Sequence, residues 1–340
     1  HKLRGMGSTL SEPRKEFIDG ASGEANDIQW GVSSIQGWRT EMEDQHLCVP
    51  NIPGLENHSL FAVFDGHGGK NAAIFAAQEL LGRLQQTAAY SDYVNDQDVS
   101  SIRDALQQAF LDVDRDMRAA FNPLMNPNER SGCTAIATLI TPTHVVTANA
   151  GDSRGLMCRA GANIELSFDH KPWLPKEKAR IESAGGCVSM KRVDGELAVS
   201  RALGDFQYKD PKLSPTATKV TGNPDMDVVE RSVGQDQFLV LACDGIWDVM
   251  TNEDVIETVG GYLRELGEGD PLLICEELIE ECLAKGSRDN MSALTLILRP
   301  GRQLVTSGAP GVMGLRARRA KEAEVKAAQA AKGKAAAGRR

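Results

Sequence analysis

Short apolar runs alternate with longer amphipathic stretches along this chain, which indicates a mixture of strands and helices. Five segments predict strands, because their apolar residues are continuous or alternate with polar ones: 31–36, 60–64, 134–140, 145–150 and 155–159. Between the third and the fourth lies Thr141-Pro142-Thr143, which predicts a tight turn. Strands that are joined this briefly must be antiparallel.

Two long helices are predicted at residues 70–86 and 99–121, where apolar residues recur every three or four positions. Capping and first-turn residues predict three shorter helices: 175–184, 252–265 after Thr251, and 271–285 after Asp270. Long amphipathic helices need a sheet to cover. We therefore expect an α+β fold, a four-layer α-β-β-α sandwich of two antiparallel sheets flanked by helices.

The composition is typical of a globular protein with a sizeable core, since 41% of the 340 residues are hydrophobic and 25% are charged. No apolar run approaches the roughly 18 residues of a membrane span, and no secretory signal is visible. The seven cysteines are widely spaced and lack a C-x-x-C pair, which indicates reduced core residues. We expect a soluble monomer in the cytoplasm, with the membrane surface or the nucleus as alternative locations.

Charge is distributed unevenly between the body of the chain and its carboxyl end. Residues 301–340 contain ten lysines and arginines against Glu322 and Glu324, a balance of +8. The overall charge of −9 therefore leaves −17 on residues 1–300. An acidic body argues against nucleic-acid binding and suits a protein that gathers carboxylates around cations. The Ala/Lys-rich tail is either a solvated appendage or a basic contact for an acidic surface such as anionic lipid.

The amino end predicts a second membrane signal. Residues 1–5 resemble the remnant of an expression tag, and the following Met6-Gly7-Ser8-Thr9-Leu10-Ser11 fits the pattern for myristoylation of Gly7. One acyl chain binds membranes only weakly, so the basic tail would act as the second signal. The chain is therefore predicted to have three regions: an N-terminal segment (1–27), a central domain (28–300) and the tail (301–340).

Two of the apolar runs end in Asp-Gly. One run leads to Asp65-Gly66, another leads to Asp244-Gly245, and Asp289 stands just before a third run. Carboxylates at the ends of buried strands are held rigidly, and oxygen ligands are what Mg²⁺ and Mn²⁺ prefer. The three aspartates therefore predict a site for divalent cations that acts on phosphate.

The alternative explanation of Asp-Gly is a turn, because both residues tolerate a positive φ. It is preferred at Asp194-Gly195, which lies between the alternating segments 187–193 and 196–200 and predicts a hairpin there. Asp19-Gly20 is a second example without a chemical role. At Asp65 and Asp244 no strand resumes at once, so cation binding is favoured at both.

The glycines of Gly66-His67-Gly68-Gly69-Lys70 also resemble a nucleotide-binding loop. A P-loop that ends at Gly69-Lys70 would need glycine at position 64 and serine or threonine at 71, where the chain has Phe64 and Asn71. A dinucleotide fingerprint that starts at Gly66 would also need glycine at 71. We expect instead a sharp backbone turn beside an ion, with the Gly66 carbonyl free to bind it.

Residues 207–223 are rich in Pro, Lys and Thr and show no periodicity. A stretch of this length without secondary structure inside a domain is usually functional. We predict that it forms a flap that faces the substrate.

Six motifs occur in order along the chain: Gly37 to Asp44 (GWRTEMED), Phe64 to Gly69 (FDGHGG), Ala150 to Arg154 (AGDSR), Leu197 to Asp205 (LAVSRALGD), Ala242 to Asp248 (ACDGIWD) and Gly286 to Ser292 (GSRDNMS). Together they resemble the metal-dependent (type 2C) protein serine/threonine phosphatases. The match runs from about residue 28 to 298. It implies two antiparallel sheets flanked by helices, with a two-metal centre in a cleft at one end.

The resemblance implies metal-binding roles and names Mg²⁺ or Mn²⁺ as the cofactor. Asp65 would bridge two ions, the carbonyl of Gly66 would bind one of them, and Asp244 and Asp289 would bind the other. The remaining acids in the motifs complete the set: Glu43 and Asp44 mostly through metal-bound waters, and Asp152, with Asp244, at a weaker third ion.

The same resemblance assigns two residues to the phosphate and the leaving group. Arg39 would clamp phosphate oxygens with its planar guanidinium, and His67 would protonate the departing Ser or Thr oxygen. A water activated by two metal ions would attack phosphorus directly, without a phosphoenzyme. Residues to which no motif gives a chemical role keep a structural interpretation: His46, His58, His144, His170, Asp205, Trp38 and Trp247.

Two functions from different classes are compatible with this resemblance. The first is hydrolysis of phosphoserine and phosphothreonine in phosphorylated protein substrates, and the second is a catalytically silent phosphatase-like scaffold. Loss of the metal carboxylates would favour the scaffold, but all are present, so hydrolysis is the prediction. A metal-dependent nuclease or small-molecule phosphatase is disfavoured by the acidic body.

Overall fold

Two antiparallel β-sheets lie face to face at the centre of the molecule. The computed structural model describes residues 9–122, 124–264 and 270–298. The strands are, in chain order, β1 (Thr9–Ala25), β2 (Ile28–Arg39), β3 (Gln45–Val49), β4 (Ser59–Phe64), β5 (Gly66–His67), β6 (Gly132–Cys133), β7 (Ala135–Ile140), β8 (His144–Ala150), β9 (Arg154–Arg159), β10 (Ala162–Glu165), β11 (Val188–Ser189), β12 (Arg192–Val193), β13 (Leu203–Gly204), β14 (Asp225–Glu230), β15 (Asp236–Ala242) and β16 (Met291–Leu298).

The two large sheets have the strand orders β1-β2-β16-β15-β9-β10 and β14-β8-β7-β4-β3. All of their neighbouring strands pair antiparallel. Two small sheets, β13-β6-β5 and β11-β12, complete the described strands. The helices are α1 (Asn71–Gln86), α2 (Ala88–Asp96), α3 (Val99–Phe121), α4 (Pro175–Ser183), α5 (Asp244–Trp247), α6 (Asn252–Arg264) and α7 (Pro271–Ala284).

Helices cover the outer face of each large sheet. Helices α1 and α3 pack on the five-stranded sheet, and α6 and α7 pack on the six-stranded one. The predicted caps are present, because Thr251 Oγ1 accepts from the Asp254 N–H at 3.1 Å and Asp270 Oδ1 accepts from the Leu272 N–H at 3.0 Å. The four-layer α-β-β-α sandwich predicted from the sequence is confirmed.

The central strands are apolar on both faces because each face is covered. In β4, Leu60 and Phe64 point into the core beneath α1 and α3, whereas Phe61 and Val63 point into the core between the two sheets. Strand β15 divides its side chains in the same way. Burial on both sides explains why these strands appear in the sequence as continuous apolar runs.

The sequence pattern missed helix α2 and the four edge strands of the two large sheets, β1, β10, β14 and β3. Residues 9–25, which we assigned to an N-terminal segment, pair with β2 and form the edge of the six-stranded sheet. Asp19 has a φ of 52° and lies at a register shift within this strand, so Asp19-Gly20 is an irregularity of a strand. Register shifts of this kind, together with packing on one face only, hide the two-residue alternation of apolar and polar side chains from a pattern search.

The predicted hairpin around Asp194-Gly195 is wrong by one turn. Strand β11 pairs with β12, and the positive φ values of Met190 (49°) and Lys191 (62°) place the hairpin turn at those residues. Asp194 (φ 50°) and Gly195 (φ 79°) form a second turn, which is followed by an isolated bridge only. Alternation on both sides of Asp-Gly did not distinguish between the two turns.

Residues 207–223 lack regular structure after a 3₁₀ turn at Phe206–Tyr208, as predicted, but they are anchored. Thr218 Oγ1 donates to the Val220 carbonyl at 2.6 Å, and Arg180 Nε of α4 donates to the Thr218 carbonyl at 3.1 Å. Lys209 Nζ donates to the Ala202 carbonyl at 2.8 Å. Side-chain bonds thus replace a backbone ladder, and the role of this segment toward the substrate stays a prediction.

The predictions for the two ends of the chain fall outside the described residues. This applies to Gly7 and to residues 301–340. In residues 9–122, 124–264 and 270–298, no helix combines the length and apolar character needed to cross a membrane. Myristoylation and a membrane contact of the tail therefore stay predictions.

Candidate active site

The acidic residues singled out in the sequence meet where strands of both large sheets end. Asp65 directly follows β4, and Asp152 lies just after β8. Asp244 lies just after β15, and Asp289 lies just before β16. Asp44 directly precedes β3. These five residues come from both halves of the sandwich, so only the stacking of the sheets brings them together.

The carboxyl of Asp65 interacts electrostatically with the other four aspartates of this group. Burial raises the pKa of its carboxyl well above the usual range, and the charges of Asp244, Asp44, Asp152 and Asp289 raise it further. Burial likewise raises the pKa of Asp244, and the charge of Asp152 adds to this effect. So many buried carboxylates repel one another unless cations neutralise them.

Asp44 has one satisfied oxygen and one that is not. Ser292 Oγ donates to Asp44 Oδ2 at 2.7 Å, whereas Oδ1 is buried and has no hydrogen-bond partner. Burial raises the pKa of Asp44 to about 7, although the hydrogen bond from Ser292 opposes the shift. The ligand atoms of Asp44, Asp65 and Cys243 all lie within 4.8 Å of one another, the one such acid, histidine or cysteine trio found within the described chain.

Cys243 is the unexpected member of that trio. Its Sγ accepts from the Ser292 N–H at 3.1 Å, and burial raises the pKa of its thiol well above the usual range. A thiol that keeps its proton is a poor ligand for a hard cation. We therefore attribute to Cys243 a packing role between Asp65 and Asp44.

Asn290 fixes the loop that carries Asp289. Its Nδ2 donates to the carbonyls of Gln36 at 2.8 Å and Glu41 at 3.0 Å, and its Oδ1 accepts from the Glu43 N–H at 3.0 Å. One side chain therefore joins the loop before β16 to the loop between β2 and β3. The sequence contained Asn290 in a motif but gave no reason to single it out.

Arg39 and Asp289 form an ion pair between Nη2 and Oδ2. The side chains are 40% and 25% exposed, so the pair lies at the mouth of the acidic cluster. A residue predicted to bind phosphate and a residue predicted to bind metal are therefore direct neighbours. The arrangement leaves the guanidinium beside any group that the cluster binds.

Glu43 is oriented by the glycine-rich turn. The Gly69 N–H donates to Glu43 Oε1 at 2.7 Å, and burial raises the pKa of this carboxyl. A Cβ at Gly66 would lie only 2.2 Å from the Glu43 carbonyl oxygen, so no larger residue fits there. Gly66 thus permits close backbone approach, and the positive φ values of Gly68 (66°) and Gly69 (122°) fit the sharp turn that the sequence predicted.

His67 is held by Asp205, which the sequence interpretation had left with a structural role. His67 Nε2 lies 2.7 Å from Asp205 Oδ2. Burial alone would lower the pKa of His67, but the charge and hydrogen bond of Asp205 outweigh it and raise the pKa. A Cβ at Gly132 would lie 2.2 Å from Asp205 Oδ2, so this glycine makes room for the pair.

Lys171 was also missed by the sequence interpretation. Its ammonium binds Asp152 Oδ2 and lies 4.0 Å from Asp169. Burial alone would lower the pKa of Lys171, but the charge of Asp152 raises it. A third metal ion at Asp152 and Asp244 would therefore compete with a tethered cation.

The donor set fits hard divalent cations. It consists of carboxylates together with the Gly66 carbonyl, and it includes the unpartnered Oδ1 of Asp44. Magnesium and manganese prefer such all-oxygen surroundings, whereas zinc prefers nitrogen and sulfur. A cation beside Arg39 and His67 would place phosphate next to both a clamp and a proton donor.

Comparisons with known proteins agree with this geometry. The family model "Protein phosphatase 2C" matches residues 28–291. Protein phosphatase 1A from Homo sapiens is 42% identical over 293 residues, which cover 86% of this chain and 76% of that protein. Protein phosphatase 1B from Rattus norvegicus is 44% identical over 295 residues, which cover 84% of this chain and 74% of that protein.

The fold has solved counterparts as well. The crystal structure of serine-threonine phosphatase 2C from Toxoplasma gondii matches with a TM-score of 0.69. The match covers 85% of this chain and 98% of that chain at 22% identity, a likeness that concerns the fold alone. On the family match and the relatives above 40% identity, the chain belongs to the protein phosphatase 2C family, the metal-dependent serine/threonine protein phosphatases.

Proposed function

We propose that this phosphatase uses two Mg²⁺ or Mn²⁺ ions, held by Asp65, the Gly66 carbonyl, Asp244 and Asp289, to hydrolyse phosphoserine and phosphothreonine in proteins. The observation that carries this assignment is the position of Asp65. It is surrounded by four other aspartates, and burial together with their charge raises its pKa. Such a site is unfavourable when empty of cations and favourable when filled.

The bound ions would supply Lewis-acid chemistry, lowering the pKa of a water molecule and offsetting the negative charge of the phosphate. Glu43 and Asp44 contribute from the loop between β2 and β3, mostly through water. Asp44 Oδ1, which has no partner, is the atom we assign to this contact. Asp152 and Asp244 offer a weaker third position, where Lys171 already supplies a positive charge.

Arg39 is the residue we assign to the phosphate. Its planar guanidinium can donate two parallel hydrogen bonds to phosphate oxygens, which a lysine cannot do. The side chain is 40% exposed, so a substrate can reach it without a change of fold. The ion pair with Asp289 holds the guanidinium at the acidic cluster until phosphate binds.

His67 is the residue we assign to the leaving group. Asp205 occupies Nε2, so Nδ1 is the nitrogen available to donate a proton to the departing Ser or Thr oxygen. The raised pKa of His67 keeps a larger share of the ring protonated near neutral pH. The scaffold alternative has no support, since every carboxylate required for the centre is present.

Release of phosphate from a phosphothreonine peptide by the chelator-treated protein tests the assignment. We expect activity only after millimolar Mn²⁺ or Mg²⁺ is added, and none for Asp65→Asn under any condition. Asp27→Asn, a change at an exposed aspartate outside the cluster, is the matched control and should behave as wild type. Full turnover by Asp65→Asn would refute the proposed centre.

A further inference from the structure

A cavity of about 620 Å³ lies between helix α6 and the strands β9, β10 and β15. The strands contribute Cys158, Asn163 and Phe238 to its lining, and α6 contributes Ile256 and Gly260. Glycine is unfavourable inside a helix, but at position 260 it leaves the helix without a side chain where the helix faces this space. We call the space the α6 cavity, and it is large enough to admit a side chain from outside.

The α6 cavity is separate from the candidate active site. Phe238 lies near the start of β15, whereas Asp244 of the acidic cluster lies just after the end of the same strand. Six residues of a strand span about 20 Å. A group bound in the cavity therefore does not touch the residues that we assign to hydrolysis.

Three side chains at the cavity offer acceptor oxygens. Asn163 Oδ1 is buried and accepts from no donor among the described residues. Glu253 and Glu257 are exposed acids one helical turn apart on α6, and both belong to the cavity lining. A buried acceptor without a donor is unfavourable, and two neighbouring carboxylates attract positive charge. The cavity is therefore suited to a cationic group that donates several hydrogen bonds.

Strand β16 ends beside this cavity. Its last residue is Leu298, and the preceding Ile297 pairs with Phe238 of the cavity lining. Paired residues of neighbouring antiparallel strands lie about 5 Å apart. Ile297 and Phe238 also belong to the same core beneath α6 and α7, so both face the helix side of the sheet. Residue 301, where the basic tail begins, follows Leu298 by only three positions.

The tail and the cavity carry opposite charge. Residues 301–340 contain ten lysines and arginines against Glu322 and Glu324, a balance of +8. A segment joined to the body by so short a connection has a high effective concentration at the cavity, of the order of millimolar. Lysine and arginine place their apolar stems along apolar surface and keep the charged end at polar groups. Such a side chain matches an apolar lining with acceptor oxygens at its edge.

We propose that the tail, residues 301–340, binds the body of its own chain by placing a lysine or arginine side chain in the α6 cavity. The charged end donates to Asn163 Oδ1 and pairs with Glu253 and Glu257, and the stem lies against Phe238. The acidic surface that the tail contacts is then part of the same molecule. This inference does not depend on the proposed metal centre.

Trypsin digestion of the full-length protein tests the inference, because a lysine or arginine held in the cavity cannot enter the protease. Mass spectrometry follows the cleavage rate at each lysine and arginine of the tail. We expect at least one site to be cut about fivefold faster in Glu253→Gln/Glu257→Gln than in wild type, a change that the loss of two exposed ion pairs can produce. Asn163→Leu removes the unpartnered acceptor at similar side-chain size and should also raise that rate, by about twofold or more.

Asp92→Asn/Asp96→Asn is the matched control, because it neutralises two exposed acids at the same helical spacing on α2; it should keep the wild-type rates. Cleavage within residues 1–298 should be the same in every variant, which shows that the body stays folded. Tail rates that neither cavity variant changes, or that the control variant raises equally, overturn the inference. Protection that increases with protein concentration overturns it by assigning the cavity to the tail of a second copy. Protection that appears only with phosphatidylserine vesicles overturns it by assigning the tail to a membrane.

Discussion

His67 Nε2 and Asp205 Oδ2 are hydrogen bonded at 2.7 Å, although the two residues are 138 positions apart in the chain. Asp205 is 1% exposed and cannot itself contact a substrate freely. It occupies Nε2 of the imidazole, so Nδ1 is the ring nitrogen left for the leaving-group role that we propose for His67. We therefore regard Asp205 as a positioning residue for His67.

Replacement of Asp205 should affect substrates according to their leaving groups. For Asp205→Asn we expect kcat/KM on a phosphothreonine peptide to fall by about 10- to 100-fold, a part of the 10²- to 10⁴-fold typical of general-acid catalysis. Turnover of p-nitrophenyl phosphate should fall less than about threefold, because its leaving group needs no proton. Steady-state kinetics on both substrates measures the difference.

Asp210→Asn, at an exposed aspartate in the neighbouring turn, controls for the substitution itself. His67→Gln should reproduce the Asp205→Asn pattern, and the double variant should lose little more than either single one. Equal losses on the two substrates would contradict a positioning role for Asp205.

Neutralising Asp65 should stabilise the metal-free protein. Asp65 lies among the charges of four other aspartates, so Asp65→Asn removes repulsion that cations would otherwise screen. We expect the melting temperature in chelator to rise by about 3 °C, which corresponds to roughly 1 kcal/mol for a domain of this size. Added Mn²⁺ should raise the melting temperature of wild type but hardly that of the variant. A lower melting temperature for Asp65→Asn in chelator would contradict this reasoning.

Removal of the Lys171 ammonium should strengthen metal binding at Asp152. The ammonium is bound to Asp152 Oδ2, so a metal ion at Asp152 must either displace the ammonium or bind beside it. For Lys171→Gln we expect the weakest Mn²⁺ site to bind about tenfold more tightly, equal to roughly 1.4 kcal/mol. Isothermal titration calorimetry measures this, with Lys178→Gln at an exposed lysine as the control. Unchanged affinity would show that Lys171 and the third ion do not share the site.

A buried ion network beside residues 207–223 should make the fold sensitive to acid. Glu177 is 2% exposed and pairs with Arg201 at 2.8 Å and Arg180 at 2.6 Å. Burial alone would raise the pKa of Glu177, but the hydrogen bond from Arg201 and the charges of both arginines lower it to about 2, from an ordinary value of 4.5. Its contribution to stability is therefore complete above about pH 4.5 and is lost as the pH falls toward 2.

Glu177→Gln should lower the free energy of unfolding at pH 7 by about 3 kcal/mol, because Arg180 and Arg201 lose the buried carboxylate that they share, although Arg201 keeps its ion pair with Asp225. Urea denaturation from pH 7 to pH 2 should show that the difference from wild type narrows below pH 4.5. Glu182→Gln, at an exposed glutamate of the same helix, should change stability by less than about 0.5 kcal/mol. A difference that stays constant down to pH 2 would contradict the assignment.

Local patterns were sufficient for much of the fold. The helix predicted at 99–121 is α3 residue for residue, and the predicted strand 60–64 lies within β4. The missed strand β1 shows the limit of this approach, because its pairing with β2 depends on an edge position that no local pattern reveals. The hairpin was predicted at Asp194-Gly195 but lies at Met190-Lys191. This shows a second limit, since the two adjacent turns had equally suitable flanking segments.

Some residues of the candidate site were likewise recognisable from the sequence, and others were not. Asp65, Asp244 and Asp289 were recognisable because each adjoins an apolar run and a motif, and the structure brings all three together. Asp205 and Lys171 were not, because their partners His67 and Asp152 lie 138 and 19 positions away in the chain. A lone aspartate or lysine carries no local mark of its partner.

The sequence by itself determined the fold class, the family resemblance and the acidic residues at strand ends, because these depend on periodicity and on short motifs. Only the tertiary structure decided which oxygen of Asp44 is left without a partner, which nitrogen of His67 is occupied and which cation neighbours Asp152. The physical reason is that these contacts join residues from different sheets and loops. Their energies depend on burial and on distances of a few ångströms, which packing alone sets.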